Sequence, residues 1–112
     1  MPAFKNFEIE AIRLLTANVL SAETLSQVEQ AVALDDYEYT GCGYFATLRH
    51  ESLPRNRIVC HELRVVGESR GITAGFIVFI ENHEPMLECH DWGRENVPAD
   101  FREQDVRVKV ET

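Results

Sequence analysis

The sequence predicts an α+β domain: two N-terminal helices packed on one face of an antiparallel sheet of about five strands, arranged as a meander. Three observations carry this. Apolar residues recur at helical spacing through the first third of the chain. From Tyr37 onward the period changes to two. The alternating segments are joined by short connections, which implies antiparallel neighbours. The 112 residues form a single domain, 1–112, large enough for one hydrophobic core.

Residues 7–19 place Phe7, Ala11, Leu14, Leu15 and Val19 near helical spacing, with Asn6 positioned as N-cap. Phe7, Ile9 and Ala11 also alternate with Glu8, Glu10 and Ile12, so a short strand is the competing assignment; the helix is preferred. Ser21 caps a second helix over 22–34, with Leu25, Val28 and Val32 on one stripe and Glu23, Gln27 and Gln30 opposite. Asp35 and Asp36 end it, because acids at a helix C-terminus oppose the macrodipole.

Residues 43–50 read as a strand, with Tyr44, Ala46 and Leu48 alternating against Phe45, Thr47 and Arg49. Pro54 and Asn56 mark a loop over 51–56. A long strand follows over 57–67, then a turn over 68–71 in which Gly71 is free to take positive φ. Residues 72–81 form the most apolar strand. Asn82-His83 fits a two-residue hairpin turn, and 84–91 returns. Residues 92–98 are irregular. Residues 105–111 alternate Val106, Val108 and Val110 with Arg107 and Lys109, as an edge strand guarded by charge does.

Turn geometry then assigns faces. With Gly67 opposite Ile72 and Glu81 opposite Glu84, Leu63 lies beside Phe76 and Cys89, and His61 beside Val78 and Leu87. Val59, Val65, Ala74 and Ile80 complete an apolar face for the helices. The other face carries Cys60, Glu62, Arg64, Val66, Gly75, Ile77, Phe79, Met86, Glu88 and His90. Arg64, Gly75 and His90 share one row; Glu62, Ile77 and Glu88 share the next. A one-residue slip in either turn exchanges the faces.

That mixed face holds the candidate functional residues. Ile77 and Phe79 sit centrally, flanked by Glu62, Arg64, Glu88 and His90. A fully solvated face does not usually centre on Ile and Phe. Trp92 is a candidate binding anchor, since Trp is enriched at hot spots. The bland alternative is that the loop around Trp92 covers this face and the charges pair across strands.

The charge balance narrows the partner. Nineteen acidic residues against eleven basic give a net of −8. Lysine occurs only at Lys5 and Lys109, and the arginines are dispersed. This argues against nucleic acid and against an anionic membrane surface as partners. It suits a basic protein partner through electrostatic steering. The expected function is therefore a non-catalytic interaction domain, in one concrete form an inhibitor or immunity-type protein for a basic enzyme. The alternative is a small enzyme or ligand-binding domain using Glu62, Arg64, Glu88 and His90, with Arg orienting an anionic group and His moving a proton. Self-association through the mixed face or through the tail strand is compatible with both.

No cofactor or metal is expected. Cys60-His61 and Cys89-His90 are adjacent pairs, and neighbours in a strand point to opposite faces. The assumed register would set Cys60 with His90 and His61 with Cys89, only two ligands each. Gly41-Cys42-Gly43 could expose a nucleophile, but two glycines opening a strand more simply permit a bend. The GxSxG, Walker, GxGxxG and HExxH patterns are missing. An odd cysteine count without CxxC, and an N-terminus without a signal-peptide pattern, lead to the expectation of reduced thiols and the cytoplasm.

Overall fold

Helix prevails over strand in the N-terminal segment: α1 spans Asn6–Thr16 and buries Phe7, Ala11, Ile12 and Leu15. The computed structural model describes residues 3–49, 56–81, 84–91 and 96–111. Lys5, not Asn6, occupies the N-cap, and its backbone N–H donates to the Glu8 carboxylate at 2.8 Å. This satisfies one of the donors that a helix start leaves without a partner. α2, Ala22–Gln30, is capped as expected by Ser21, whose Oγ accepts from the Thr24 N–H at 3.1 Å. It stops at Gln30 rather than at 34. Ala31 turns to extended backbone, and its carbonyl accepts from the Ala3 N–H at 2.6 Å. The apolar stripe therefore ends at the buried Val28, and Val32 is 78% exposed.

Among the described residues six strands follow: β1 Asp36–Tyr39, β2 Tyr44–Thr47, β3 Ile58–Ser69, β4 Ile72–Glu81, β5 Glu84–Asp91 and β6 Arg107–Val110. A short 3-10 helix, η1 Phe101–Glu103, precedes the last. The order in the sheet is β1-β2-β5-β4-β3-β6, antiparallel throughout. β3, β4 and β5 form the meander. The β1–β2 hairpin attaches to the far side of β5, and β6 pairs with β3 as an edge strand. Both helices lie on one face; α1 rests on β3, β4 and β6, and Val28 brings α2 into the core. Phe7 packs on Phe76 and Phe101, with ring centroids 6.1 and 6.0 Å apart.

The β4–β5 register is the expected one, with Glu81 opposite Glu84 and Phe76 opposite Cys89. The β3–β4 register differs. Ser69 faces Ile72 across a two-residue turn in which Arg70 and Gly71 both take positive φ, 51° and 81°. Such turns match the twist of hairpin strands, so this one outcompetes a longer connection. Farther along, Cys60 faces Val78 while Val65 faces Phe76. Residues 61–64 therefore oppose Ile77 alone. This irregularity reverses the strand's alternation beyond it. Cys60 points into the core, contrary to expectation, and Val59 faces the other way. His61 and Leu63 are exposed rather than packed beneath the helices.

A candidate protein-binding face

The helix-free face of the sheet is laid out by its pairings. One row runs Glu38, Phe45, Glu88, Ile77 across β1, β2, β5 and β4. The next runs Asp36, Thr47, Met86, Phe79 and on to Val59 of β3. Glu84 and Glu81 close the end of β5 and β4. Phe45, Ile77, Phe79 and Met86 are half-buried and lie together, with carboxylates on three sides. At one end a cavity of about 360 Å³ is lined by Asp35, Asp36, Thr47, Phe79, Glu81, Glu84 and Met86. Arg49 partly offsets that charge, at 3.6 Å from Glu84. The opposite end of the face carries the row His90, Gly75, Val66, Lys109 and then the pair Glu68 and Arg107. The face is thus acidic toward β1 and carries mixed charge toward β6, where the cations Arg107 and Lys109 belong to the edge strand itself.

Of the anticipated residues, Ile77, Phe79, Glu88 and His90 lie on this face. Ile77 adjoins Glu88, and Phe79 adjoins Met86. Glu62 and Arg64 do not join their rows. Both are exposed within the segment 61–64, and Val66 takes the place opposite Gly75 that Arg64 was expected to hold. The Arg64 carbonyl accepts from the Glu111 N–H at 2.7 Å. Trp92 lies outside the described residues, as do Asn82 and His83. Cys60 and Cys89 both face the core, so neither shares a face with the histidine once paired with it.

Comparison with protein-family models, curated proteins and solved structures finds no match to this chain. Among the described residues, no helix is long and apolar enough to cross a membrane.

Sequence reasoning missed Glu8. Its carboxylate is fully buried and accepts four hydrogen bonds. Arg102 of η1 grips it with Nε and Nη2, each at 2.7 Å, Tyr44 donates its hydroxyl at 2.6 Å, and the Lys5 N–H completes the set. Arg102 also donates to the Ala3 carbonyl at 3.0 Å and lies over the rings of Tyr37 and Tyr44. Burial opposes the Arg102 charge, but bonding to Glu8 outweighs it and holds the guanidinium pKa above its ordinary value. Burial, aided by the Glu8 charge, raises the Tyr44 hydroxyl well above its ordinary value. The same two causes push the Cys89 thiol up, and burial does so for Cys60. A partner for Glu8 ninety-four positions away carries no local signal.

Gly41-Cys42-Gly43 belongs to the β1–β2 turn. Thr40 N–H donates to the Gly43 carbonyl at 2.8 Å. A Cβ on Gly43 would stand 1.9 Å from the Cys89 carbonyl oxygen, so glycine is needed for β2 to approach β5. Cys42 itself is exposed.

Proposed function

We propose that this chain is a non-catalytic protein-binding domain that receives a basic protein on the β1–β2–β5–β4 part of its helix-free face. An inhibitor that neutralises a basic enzyme, of the immunity type, is the concrete form. The carrying observation is the apolar quartet Phe45, Ile77, Phe79 and Met86 framed by Asp36, Glu38, Glu81, Glu84 and Glu88. Apolar side chains at the centre of a patch supply binding energy, while the charged rim selects sign and speeds encounter. The net charge of −8 extends the same preference over the molecule.

Native mass spectrometry of the chain isolated gently from its own host supplies the test. A stoichiometric basic protein is the expected partner. Ile77→Ser combined with Phe79→Ser, in a variant whose circular dichroism is unchanged, is expected to weaken that complex by at least about tenfold. Unchanged affinity in the folded variant, or a footprint on the helical face, would overturn the reading.

A further inference from the structure

The two edges of the sheet are complementary to each other. Among the described residues, β1 reads Asp36, Tyr37, Glu38, Tyr39 and pairs only with β2; β6 reads Arg107, Val108, Lys109, Val110 and pairs only with β3. The registers put Asp36 and Glu38 on the helix-free face, since they oppose Thr47 and Phe45. They put Arg107 and Lys109 on that same face, opposite Glu68 and Val66. Tyr37 and Tyr39 at one edge, and Val108 and Val110 at the other, point to the helical side. None of the four charged residues forms an ion pair with another described residue.

We infer that β1 of one copy of this chain adds to β6 of a second copy, extending the sheet from molecule to molecule. The strand directions permit it. Strands alternate along the order β1-β2-β5-β4-β3-β6, so β1 and β6 run oppositely, and a second copy in the same orientation presents β6 antiparallel to β1. The face-matched register sets Asp36 against Lys109, Tyr37 against Val108 and Glu38 against Arg107. Two opposite-charge pairs and one aromatic–β-branched pair are all favourable cross-strand neighbours.

Charged edges ordinarily guard a sheet against pairing. Here each edge carries a single sign on this face. β1 repels β1, β6 repels β6, and only the unlike edges attract. The contact is therefore head-to-tail, giving a ring if the rotation per copy closes and a filament if it does not. It shares Asp36 and Glu38 with the rim of the proposed binding face, but it uses backbone edges and leaves the Ile77 and Phe79 surface uncovered.

Sedimentation velocity of the full chain over a rising concentration series tests this. The wild type is expected to associate in low salt, and high salt is expected to weaken that association by about tenfold. Asp36→Lys/Glu38→Lys has two basic edges and Arg107→Glu/Lys109→Glu two acidic ones, so each alone is expected to stay monomeric. Mixed, they are expected to associate again, because every contact between unlike variants restores opposite charge. The inference is overturned if the wild type is monomeric throughout or indifferent to salt. It is equally overturned if either variant associates alone as the wild type does, or if the mixture stays monomeric. The wild-type salt series requires no variant to fold.

Discussion

Replacing Arg102 by methionine isolates the buried carboxylate of Glu8. The side chain of Glu8 is 0% exposed and that of Arg102 only 14%, so water cannot take over the lost contacts. Three of its donations go with the guanidinium: two to Glu8 and one to the Ala3 carbonyl. Breaking a buried pair by removing one partner costs about 3–5 kcal/mol, because the other charge stays behind. That is a large share of the roughly 5–15 kcal/mol available to a domain. The melting temperature should fall by roughly 12–20 °C, at about 4 °C per kcal/mol for a chain of this size. Adding Glu8→Gln to Arg102→Met removes the stranded charge while leaving an amide oxygen for the Tyr44 hydroxyl. The double variant is expected to recover about 2 kcal/mol over Arg102→Met alone. Urea unfolding followed by circular dichroism reads all three variants. A loss below about 1 kcal/mol for Arg102→Met, or a double variant no better than the single, would refute the assignment of an uncompensated charge.

Alkaline pH should unfold the protein earlier than net charge alone explains. Tyr44, Cys89 and Cys60 have folded pKa values raised above ordinary values of 10.0, 9.0 and 9.0, so their contribution is fully present below those values and lost as pH rises toward the folded ones. The urea midpoint should decline from about pH 9 upward, and Tyr44→Phe should flatten the part above about pH 10. Gly43→Ala should cost about 3 kcal/mol, since its Cβ meets backbone 1.9 Å away; a melting temperature within error of wild type would contradict that contact. A thiol reagent should modify Cys42 rapidly in the folded protein and reach Cys60 and Cys89 only with unfolding, because those two are 4% and 1% exposed. Equal rates at all three would contradict the facing of Cys60.

What was legible in the sequence was local. The Ser21 cap, the Tyr44–Ala46–Leu48 alternation, the Glu81–Glu84 register and the charged edge strand each depend on neighbours a few residues away. Apart from the Arg70-Gly71 turn and the Lys5 cap, which are local, the failures share one cause: a distant partner decided the outcome. The end of α2 is fixed by Ala3, and the neighbour of β5 on one side is β2. β1 lies where the period of two begins at Tyr37, but its place at the sheet edge is set by its pairing with β2. The irregular stretch 61–64 obeys no period, and it moved Cys60 inward while detaching Glu62 and Arg64 from Glu88 and His90. Within the candidate face, Ile77, Phe79 and Glu88 survived because the β4–β5 hairpin is local. Phe45, Asp36 and Glu38 joined them through a pairing no short-range rule contains.

The grip of Arg102 on Glu8 also bears on biosynthesis. Glu8 emerges early and its cation follows ninety-four positions later. Docking α1 before Arg102 exists would bury the Glu8 carboxylate without its cation, at a cost of several kcal/mol. The nascent chain therefore gains little by closing its core early, and the β3–β4–β5 meander can form while α1 is still solvated. Vectorial synthesis and the ion pair together favour one order of assembly, with the meander formed before α1 docks.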